Sequence, residues 1–250
     1  MIAVEHVSKR YGTFTAVDDV SLAVAPGEIH GFLGPNGAGK TTTLRMIAGL
    51  LQPSAGRIVV NGHDIAKEPE AAKASLGFIP DRPYIYEKLT AGEFLRFHGG
   101  LYGIDGADIT VRVHEMLDLF ELRKWEDELV ESFSHGMKQR LVMSAAFLHR
   151  PRAVVVDEPM VGLDPRGARL IKAVFRRMSE QGVAILMSTH TLEVAEEMSH
   201  RISIINRGRI IAQGTVDEVR RLSGGADEHF TAVFLKLTGG SALQEIDEVV

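Results

Sequence analysis

The segment GPNGAGKT, residues 34–41, constrains the fold more than any other part of this sequence. It fits the pattern G-x-x-x-x-G-K-[ST], and an apolar segment that predicts a strand, Ile29–Leu33, comes directly before it. Glycines let such a loop curl until successive N–H groups point at phosphate oxygens. A glycine-rich turn with a solvated lysine is the alternative, but the predicted strand before and helix after favour a phosphate-binding loop.

Each position of the loop has a chemical role. Lys40 is placed to reach the outer phosphates, and the hydroxyl of Thr41 is placed to face Mg²⁺. The residues that we expect to hold the phosphates are Gly34, Pro35, Asn36, Gly37, Ala38, Gly39, Lys40, Thr41 and Thr42.

Strands alternate with helices along most of the chain, which predicts an α/β fold with a mostly parallel sheet. We expect a P-loop NTPase core at residues 1–222, with an antiparallel β subdomain at its N-terminus. Residues 85–150 have helical periodicity and predict a helical subdomain inserted in that core, with apolar side chains at 113, 116, 117 and 120 on one face. Residues 223–250 are predicted to form a small appendage.

Composition limits the class of function. The net charge of −5 does not favour nucleic acid as a partner. The chain has no cysteine, which fits a reducing compartment, and no stretch of roughly 20 apolar residues that would span a bilayer. The first residues lack the pattern of a signal peptide. We therefore expect a soluble, cytoplasmic protein that meets a membrane only through a partner.

Two acids follow the apolar run AVVV, where a buried parallel strand is predicted to end. A solvated turn or a helix cap would explain such a pair. A phosphate loop in the same sheet favours a site instead, because ligands bind beyond the carboxyl ends of such strands. Asp157 is then expected to hold Mg²⁺, and Glu158 to orient or deprotonate the attacking water. His190, at the end of another predicted core strand, is expected at the same edge as a catalytic residue.

A second anion-binding end is predicted in ESFSHGMKQRL, residues 131–141. Ser134 stands where a helix N-cap is expected, and Gly136 allows close approach to the backbone. Free N–H groups and the positive end of a helix dipole favour an anion there.

Together these segments resemble the nucleotide-binding subunits of ABC transporters. GPNGAGKT, FSHGMKQRL in place of the family's LSGGQ signature, VVVDEP, GLDP and His190 occur in the family's order over roughly residues 1–222. The resemblance implies an ATPase that uses ATP and Mg²⁺ in a head-to-tail dimer. Ser134 and Gly136 of one subunit would contact the γ-phosphate held by the phosphate loop of the other.

The resemblance also implies partners and further contacts. The second ATPase subunit is either an identical copy or a related chain, and separate membrane permease subunits place the pair at the inner face of the cell membrane. Tyr11 matches the aromatic that stacks on adenine, although a packed strand aromatic remains the alternative. Asp164 in GLDP matches a loop that touches the partner subunit near its ATP. The tail FLKLTGG resembles exporter-type subunits of the daunorubicin-resistance kind.

Three positions depart from the family. Asp81 replaces a glutamine that contacts Mg²⁺, and either keeps a metal contact or turns outward to Arg82. His135 replaces a glycine of the signature, where it either donates to the phosphate or points to solvent. Phe133 and Met137 replace two more letters of that motif.

The segment RPYIYEKL, residues 82–89, is rich in aromatic side chains. The resemblance places it where a membrane subunit docks, and packing between the two lobes is the alternative. At the level of the whole protein, the alternatives to a transporter ATPase are a soluble ABC-type ATPase of translation or DNA repair and a small-molecule phosphotransferase.

Overall fold

The computed structural model of the protein describes residues 1–82, 84–222 and 229–239. The strands are β1 (Ile2–Tyr11), β2 (Phe14–Val24), β3 (Ile29–Leu33), β4 (Ala55–Val60), β5 (His63–Asp64), β6 (Leu76–Ile79), β7 (Ala153–Asp157), β8 (Ala184–Thr189), β9 (Arg201–Asn206) and β10 (Arg209–Gly214). The helices are α1 (Lys40–Ile47), α2 (Pro69–Ala74), α3 (Ala91–Leu101), α4 (Gly106–Leu119), α5 (His135–Leu148), α6 (Pro165–Glu180), α7 (Leu192–Met198), α8 (Val216–Leu222) and α9 (Phe230–Thr238).

The central sheet has the strand order β10-β9-β3-β8-β7-β6. Five of these strands run parallel, and β10 pairs antiparallel with β9 at one edge. Every residue of β3, β7 and β8 is buried, as expected for strands that are covered on both faces. Their carboxyl ends meet at one edge, so the segments that follow β3, β7 and β8 are brought together there.

The N-terminal strands form a separate antiparallel sheet with the order β2-β1-β4-β5. One apolar cluster joins this sheet to α1 and to the central sheet, and it includes Val17, Phe32, Ile47 and Leu186. The predicted α/β fold, with a mostly parallel core and an antiparallel β subdomain at the N-terminus, is therefore confirmed.

Residues 90–150 are mostly helical, and α3, α4 and α5 pack around an apolar cluster that they share with α6 and the central sheet. Val113, Leu117 and Phe120 are fully buried there, while Met116 of the same predicted face is half-buried. α3 begins at a reciprocal cap, in which Thr90 accepts from the Glu93 N–H and Glu93 accepts from the Thr90 N–H.

Two helices differ from the sequence pattern. The apolar residues Leu44, Ile47, Ala48 and Leu51 are spaced as one helical face. α1 nevertheless ends at Ile47, because Gly49 turns the chain at φ +64°. α9 lies in the predicted C-terminal appendage, yet its Phe230 and Val233 are buried against apolar residues of β3 and β9. Residues 223–228 and 240–250 of that segment lie outside the described residues. Within the described ranges, no helix has both the length and the apolar character needed to cross a bilayer.

Candidate functional site

The phosphate loop runs from the end of β3 to the start of α1, and its glycines are required by space and by backbone angle. A Cβ on Gly34 would lie 2.3 Å from the carbonyl oxygen of Ile205. Gly39, the N-cap of α1, has φ +111°, a backbone angle that residues other than glycine rarely adopt. The loop therefore exposes the N-terminal end of α1, where N–H groups and the helix dipole favour an anion.

Lys40 is held over this loop. It is only 7% exposed, and its ammonium donates to the carbonyl oxygens of Gly34 at 2.6 Å and Pro35 at 3.2 Å. Burial lowers the pKa of Lys40, and the nearby carboxylates of Glu158 and Asp157 offset part of this shift. A buried ammonium beside an open helix end is a strong electrostatic site for phosphate.

Asp157, the last residue of β7, is tied to both neighbouring elements. Its Oδ2 accepts from the Thr41 hydroxyl at 2.7 Å, and its Oδ1 accepts from the hydroxyl of Ser188 in β8. Asp157 is 2% exposed, so these two bonds fix the position of a buried carboxylate. The structure thus brings together Thr41 and Asp157, two of the three residues that the sequence assigned to a metal.

Glu158 follows with a strained backbone. Its φ is +51°, unusual for a residue with a side chain, and its N–H donates to the carbonyl oxygen of Ser188 at 3.1 Å. Its carboxylate lies 2.8 Å from Nδ1 of His190, which is half-exposed just after β8. This contact places the ring of His190 directly beside the Glu158 carboxylate. The predicted catalytic pair is in contact.

A cavity of about 420 Å³ lies beside the loop. The residues that line it are Tyr11, Phe14, Ala16, Pro35, Asn36, Gly37, Gly39, Lys40, Thr41, Thr42, Asp81, Asp157 and Glu158. The ring of Tyr11 is 49% exposed, so it is not a core aromatic. The ammonium of Lys9 lies 5.2 Å from its centroid.

Asp81 belongs to the cavity wall as well. Its side chain is exposed, and its Oδ1 accepts from the backbone N–H of Arg82 at 2.8 Å. The carboxylate is therefore positioned by the main chain of Arg82.

The second predicted anion site is built as expected but lies elsewhere. Ser134 caps α5, and its hydroxyl accepts from the N–H of Met137 at 3.3 Å. Among the described residues that line the cavity, neither Ser134, Gly136 nor Asp164 is found. Asp164 instead caps α6 and accepts from the N–H of Gly167 at 2.7 Å.

His135 has a neighbour that neither sequence hypothesis included. A Cβ on Gly162 would lie 2.4 Å from Cδ2 of the His135 ring, so the ring packs directly against the Gly162 backbone. Gly162 has φ +76° and opens the GLDP segment. The start of α5 and the segment 162–164 are therefore in contact within one chain.

Comparison with known proteins places these features in a family. The family model described as "ABC transporter" matches residues 17–161, more than half of the chain. A daunorubicin resistance ATP-binding protein of Streptomyces coeruleorubidus is 38% identical over 224 residues, covering 90% of this chain and 71% of that protein. The ABC-type transporter ATP-binding protein EcsA of Bacillus subtilis is 35% identical over 248 residues, covering 98% and 99%.

The chain belongs to the ABC transporter family.

A solved structure described as an ATP-binding subunit of an ABC transporter has the same fold. It is 34% identical, covers 95% of this chain and 99% of its own, and has a TM-score of 0.90. The chain is thus an ABC ATPase subunit, which binds and hydrolyses ATP.

The segment 84–89 of this ABC subunit divides into two kinds of side chain. Ile85 and Leu89 pack against the apolar cluster that joins the helical lobe to the central sheet. Tyr84 is 93% exposed and Tyr86 is 58% exposed, with its ring edge-on to Phe97 at 5.3 Å between centroids. Pro83 lies outside the described residues. Packing between lobes therefore accounts for the aliphatic residues but not for the two tyrosines.

Three contributors to the site were missed by sequence reasoning. Ser188 bonds Asp157, Phe14 faces the cavity opposite Tyr11 in the strand register, and Gly162 contacts His135. A polar residue after the apolar run of β8 was a usable signal for Ser188. Contacts such as that of Gly162 leave no local pattern, because they depend on tertiary packing.

Proposed function

We propose that this ABC subunit powers export through separate membrane subunits, with ATP bound between two ATPase chains. The observation that carries the proposal is the division of its two anion-binding helix ends. The end of α1 has a lysine, a buried acid and Glu158 around one cavity, with His190 in contact with Glu158, while Ser134 and Gly136 at the end of α5 do not line that cavity. A second chain that supplies its α5 end would complete each site.

In this proposal the triphosphate lies along the N–H groups of residues 34–42, and Lys40 neutralises its outer charge. Adenine stacks on the ring of Tyr11, whose other face is near Lys9. Such stacking contributes about 1–3 kcal/mol per base.

The residues present fit Mg²⁺, because this ion takes hard oxygen ligands and few protein groups. Thr41 and Asp157 would hold it, with Asp81 as a further oxygen at the cavity wall. Within the described ranges, no cluster of three or more His, Asp or Glu is assembled for a metal, so phosphate oxygens and water would complete the shell. When bound, Mg²⁺ would neutralise charge on the phosphates.

Glu158 acts on the water that attacks the γ-phosphate. Its carboxylate accepts the water's proton as the new P–O bond forms and the bond to the leaving ADP oxygen breaks. His190 holds the carboxylate in place through the 2.8 Å contact. Ser134 and Gly136 of the other chain would donate to the same γ-phosphate, and Asp164 would lie at the contact between the chains.

The groove beside Tyr84 would receive a short helix of the membrane subunit. It has a volume of about 250 Å³ and is lined by Leu50, Phe78, Tyr84, Phe94 and Tyr102, among others. Exposed aromatic rings around an apolar groove suit the core of a protein interface. The exporter assignment rests on relatives named for daunorubicin resistance, linearmycin resistance and Nod factor export.

The decisive test is a pull-down of the tagged chain from detergent-solubilised membranes, read by mass spectrometry. We expect a polytopic membrane protein in stoichiometric amount, and its loss with the double substitution Tyr84→Ala, Tyr86→Ala. The exposed Phe14→Ala serves as a control, because its ring lies at the nucleotide cavity instead. Recovery only from the soluble fraction, with ribosomal or DNA-repair proteins, would overturn the proposal in favour of the soluble class.

A further inference from the structure

The two ends of a bound nucleotide are held by different parts of this chain. The phosphates belong to the loop between β3 and α1 in the central sheet, and the base belongs to the β1–β2 hairpin of the antiparallel sheet. One bound nucleotide must span both parts, so the separation between the phosphate loop and the β1–β2 hairpin has to match its bound length. The structure contains a single residue that is hydrogen-bonded to both halves.

This residue is Gly208, in the two-residue turn between β9 and β10. Its N–H donates to the carbonyl oxygen of Ala38 in the phosphate loop at 2.9 Å. Its carbonyl oxygen accepts from the N–H of Asp18 in β2 at 2.8 Å. Beside it, Nε of Arg209 donates to the Asp18 carboxylate at 2.9 Å.

The turn can make these contacts only with glycine. Arg207 and Gly208 both have positive φ, +48° and +80°, as a two-residue hairpin loop requires. A Cβ on Gly208 would lie 2.9 Å from the carbonyl oxygen of Ala16, which lines the nucleotide cavity. On its other side the turn is anchored to α9, because Nδ2 of Asn206 donates to the Thr238 carbonyl oxygen at 3.2 Å.

We propose that the turn of residues 206–209 is a positioning element of the nucleotide site, which sets the separation between the phosphate loop and the base-binding hairpin. Gly208 is a positioning residue, since it acts through Ala38 and Asp18 and does not itself line the cavity. The proposal rests on the nucleotide-binding part of the proposed function and is independent of the dimer.

The test compares a ligand that spans both halves with one that touches a single half. Binding of ATP and of inorganic triphosphate would be measured by calorimetry on Gly208→Ala. We expect the dissociation constant for ATP to rise roughly tenfold or more, and that for triphosphate to change less than about twofold. The same loss for both ligands, or no loss for ATP, would overturn the proposal.

The matched control is Gly62→Ala. Asn61 and Gly62 form a two-residue loop between β4 and β5 with φ +49° and +89°, and a Cβ on Gly62 meets nothing within 4 Å. This variant carries the same backbone strain without the contact, so ATP binding should be unchanged.

Two further variants keep the outcome clear. If Gly208→Ala does not fold, Arg209→Ala removes the bond to Asp18 and should change the ATP-to-triphosphate ratio in the same direction, by roughly threefold. Lys40→Ala separates the two proposals. Unchanged binding of both ligands there would mean that nucleotides bind elsewhere, which would sink the proposed function rather than the positioning role alone.

Discussion

The two anion-binding helix ends of this protein differ in what surrounds them. The end of α1 begins at a glycine with no side-chain cap, and the 7% exposed ammonium of Lys40 covers it. The end of α5 is capped by the exposed Ser134, and the lysine in its first turns, Lys138, is already paired with Glu87. A capped, exposed helix end can bind an anion only weakly by itself.

This difference indicates which of the two helix ends is expected to bind nucleotide without a second chain. The first end has most of the residues that we propose for phosphate, Mg²⁺ and the attacking water around one cavity, so we expect it to bind nucleotide as a single chain. In the proposed dimer the second end adds hydrogen-bond donors to the phosphate that the other chain presents. The predictions below test this division.

The largest effect is expected for Glu158→Gln. Without a carboxylate the attacking water keeps its proton, so turnover should fall by roughly 10²–10⁴-fold while ATP still binds. We expect the variant with ATP and Mg²⁺ to form a dimer by light scattering. Glu180→Gln, at the exposed end of α6, is the control. A monomer under these conditions would contradict the shared site or require a different second chain.

The next effect separates the two ends directly. Lys40→Ala should weaken nucleotide binding by the single chain and lower turnover with it, because the buried positive charge is lost. Ser134→Ala should lower turnover by roughly 10²-fold and leave binding by the single chain unchanged. Fluorescent-nucleotide titration at low protein concentration measures the first quantity, and phosphate release the second.

Ser132→Ala, two residues away and bonded only to the Leu129 carbonyl oxygen, controls for local stability. Equal loss of nucleotide binding by the single chain in Lys40→Ala and Ser134→Ala would contradict the conclusion that only the end of α1 binds nucleotide without a second chain.

Low pH is expected to destabilise the protein at the C-terminal end of α5. His149 caps that end, stacks on Tyr102, and donates from Nε2 to the Leu76 carbonyl oxygen at 3.2 Å. Burial lowers the pKa of His149 to about 4. Between the unfolded pKa of about 6.5 and this value the unfolded chain binds more protons, so stability falls as pH falls.

At pH 5 the loss from His149 should be about 2 kcal/mol relative to pH 7. His149→Phe keeps a stacked ring without the titration, so guanidinium unfolding of this variant should lose less stability between pH 7 and 5. The exposed His6→Phe is the control. An identical pH dependence in the wild type and His149→Phe would contradict this explanation.

The smallest effect concerns the contact between the His135 ring and Gly162. Gly162→Ala should destabilise the protein by about 1–3 kcal/mol, from backbone strain and from the clash with His135. In the background of His135→Gly the clash is absent, so the same substitution should cost less. Thermal unfolding of the wild type, the two single variants and the double variant gives the coupling free energy between Gly162 and His135. Additive effects would mean that the ring does not pack on Gly162 in solution.

His135→Gly also tests the phosphate-donor hypothesis. The ring lies against Gly162, and we therefore expect the pH profile of hydrolysis to stay unchanged in this variant. A shifted profile would restore donation to the phosphate as the role of His135.

The sequence alone determined the phosphate loop, the order of strands and helices, and the residues at the carboxyl ends of the core strands. These features are local or periodic, since a glycine-rich loop between strand and helix needs no distant contact to be recognised. Asp157, Glu158 and His190 could be predicted for the same reason, because parallel strands end at a common edge.

Tertiary structure alone decided how these residues touch. The bond from Ser188 to Asp157, the ring of His135 on Gly162 and the two bonds of Gly208 all join segments distant in sequence. It also decided that Tyr84 stays exposed while Ile85 packs, and that α9 belongs to the core. Such contacts follow from close packing of separate elements, which residue spacing does not encode.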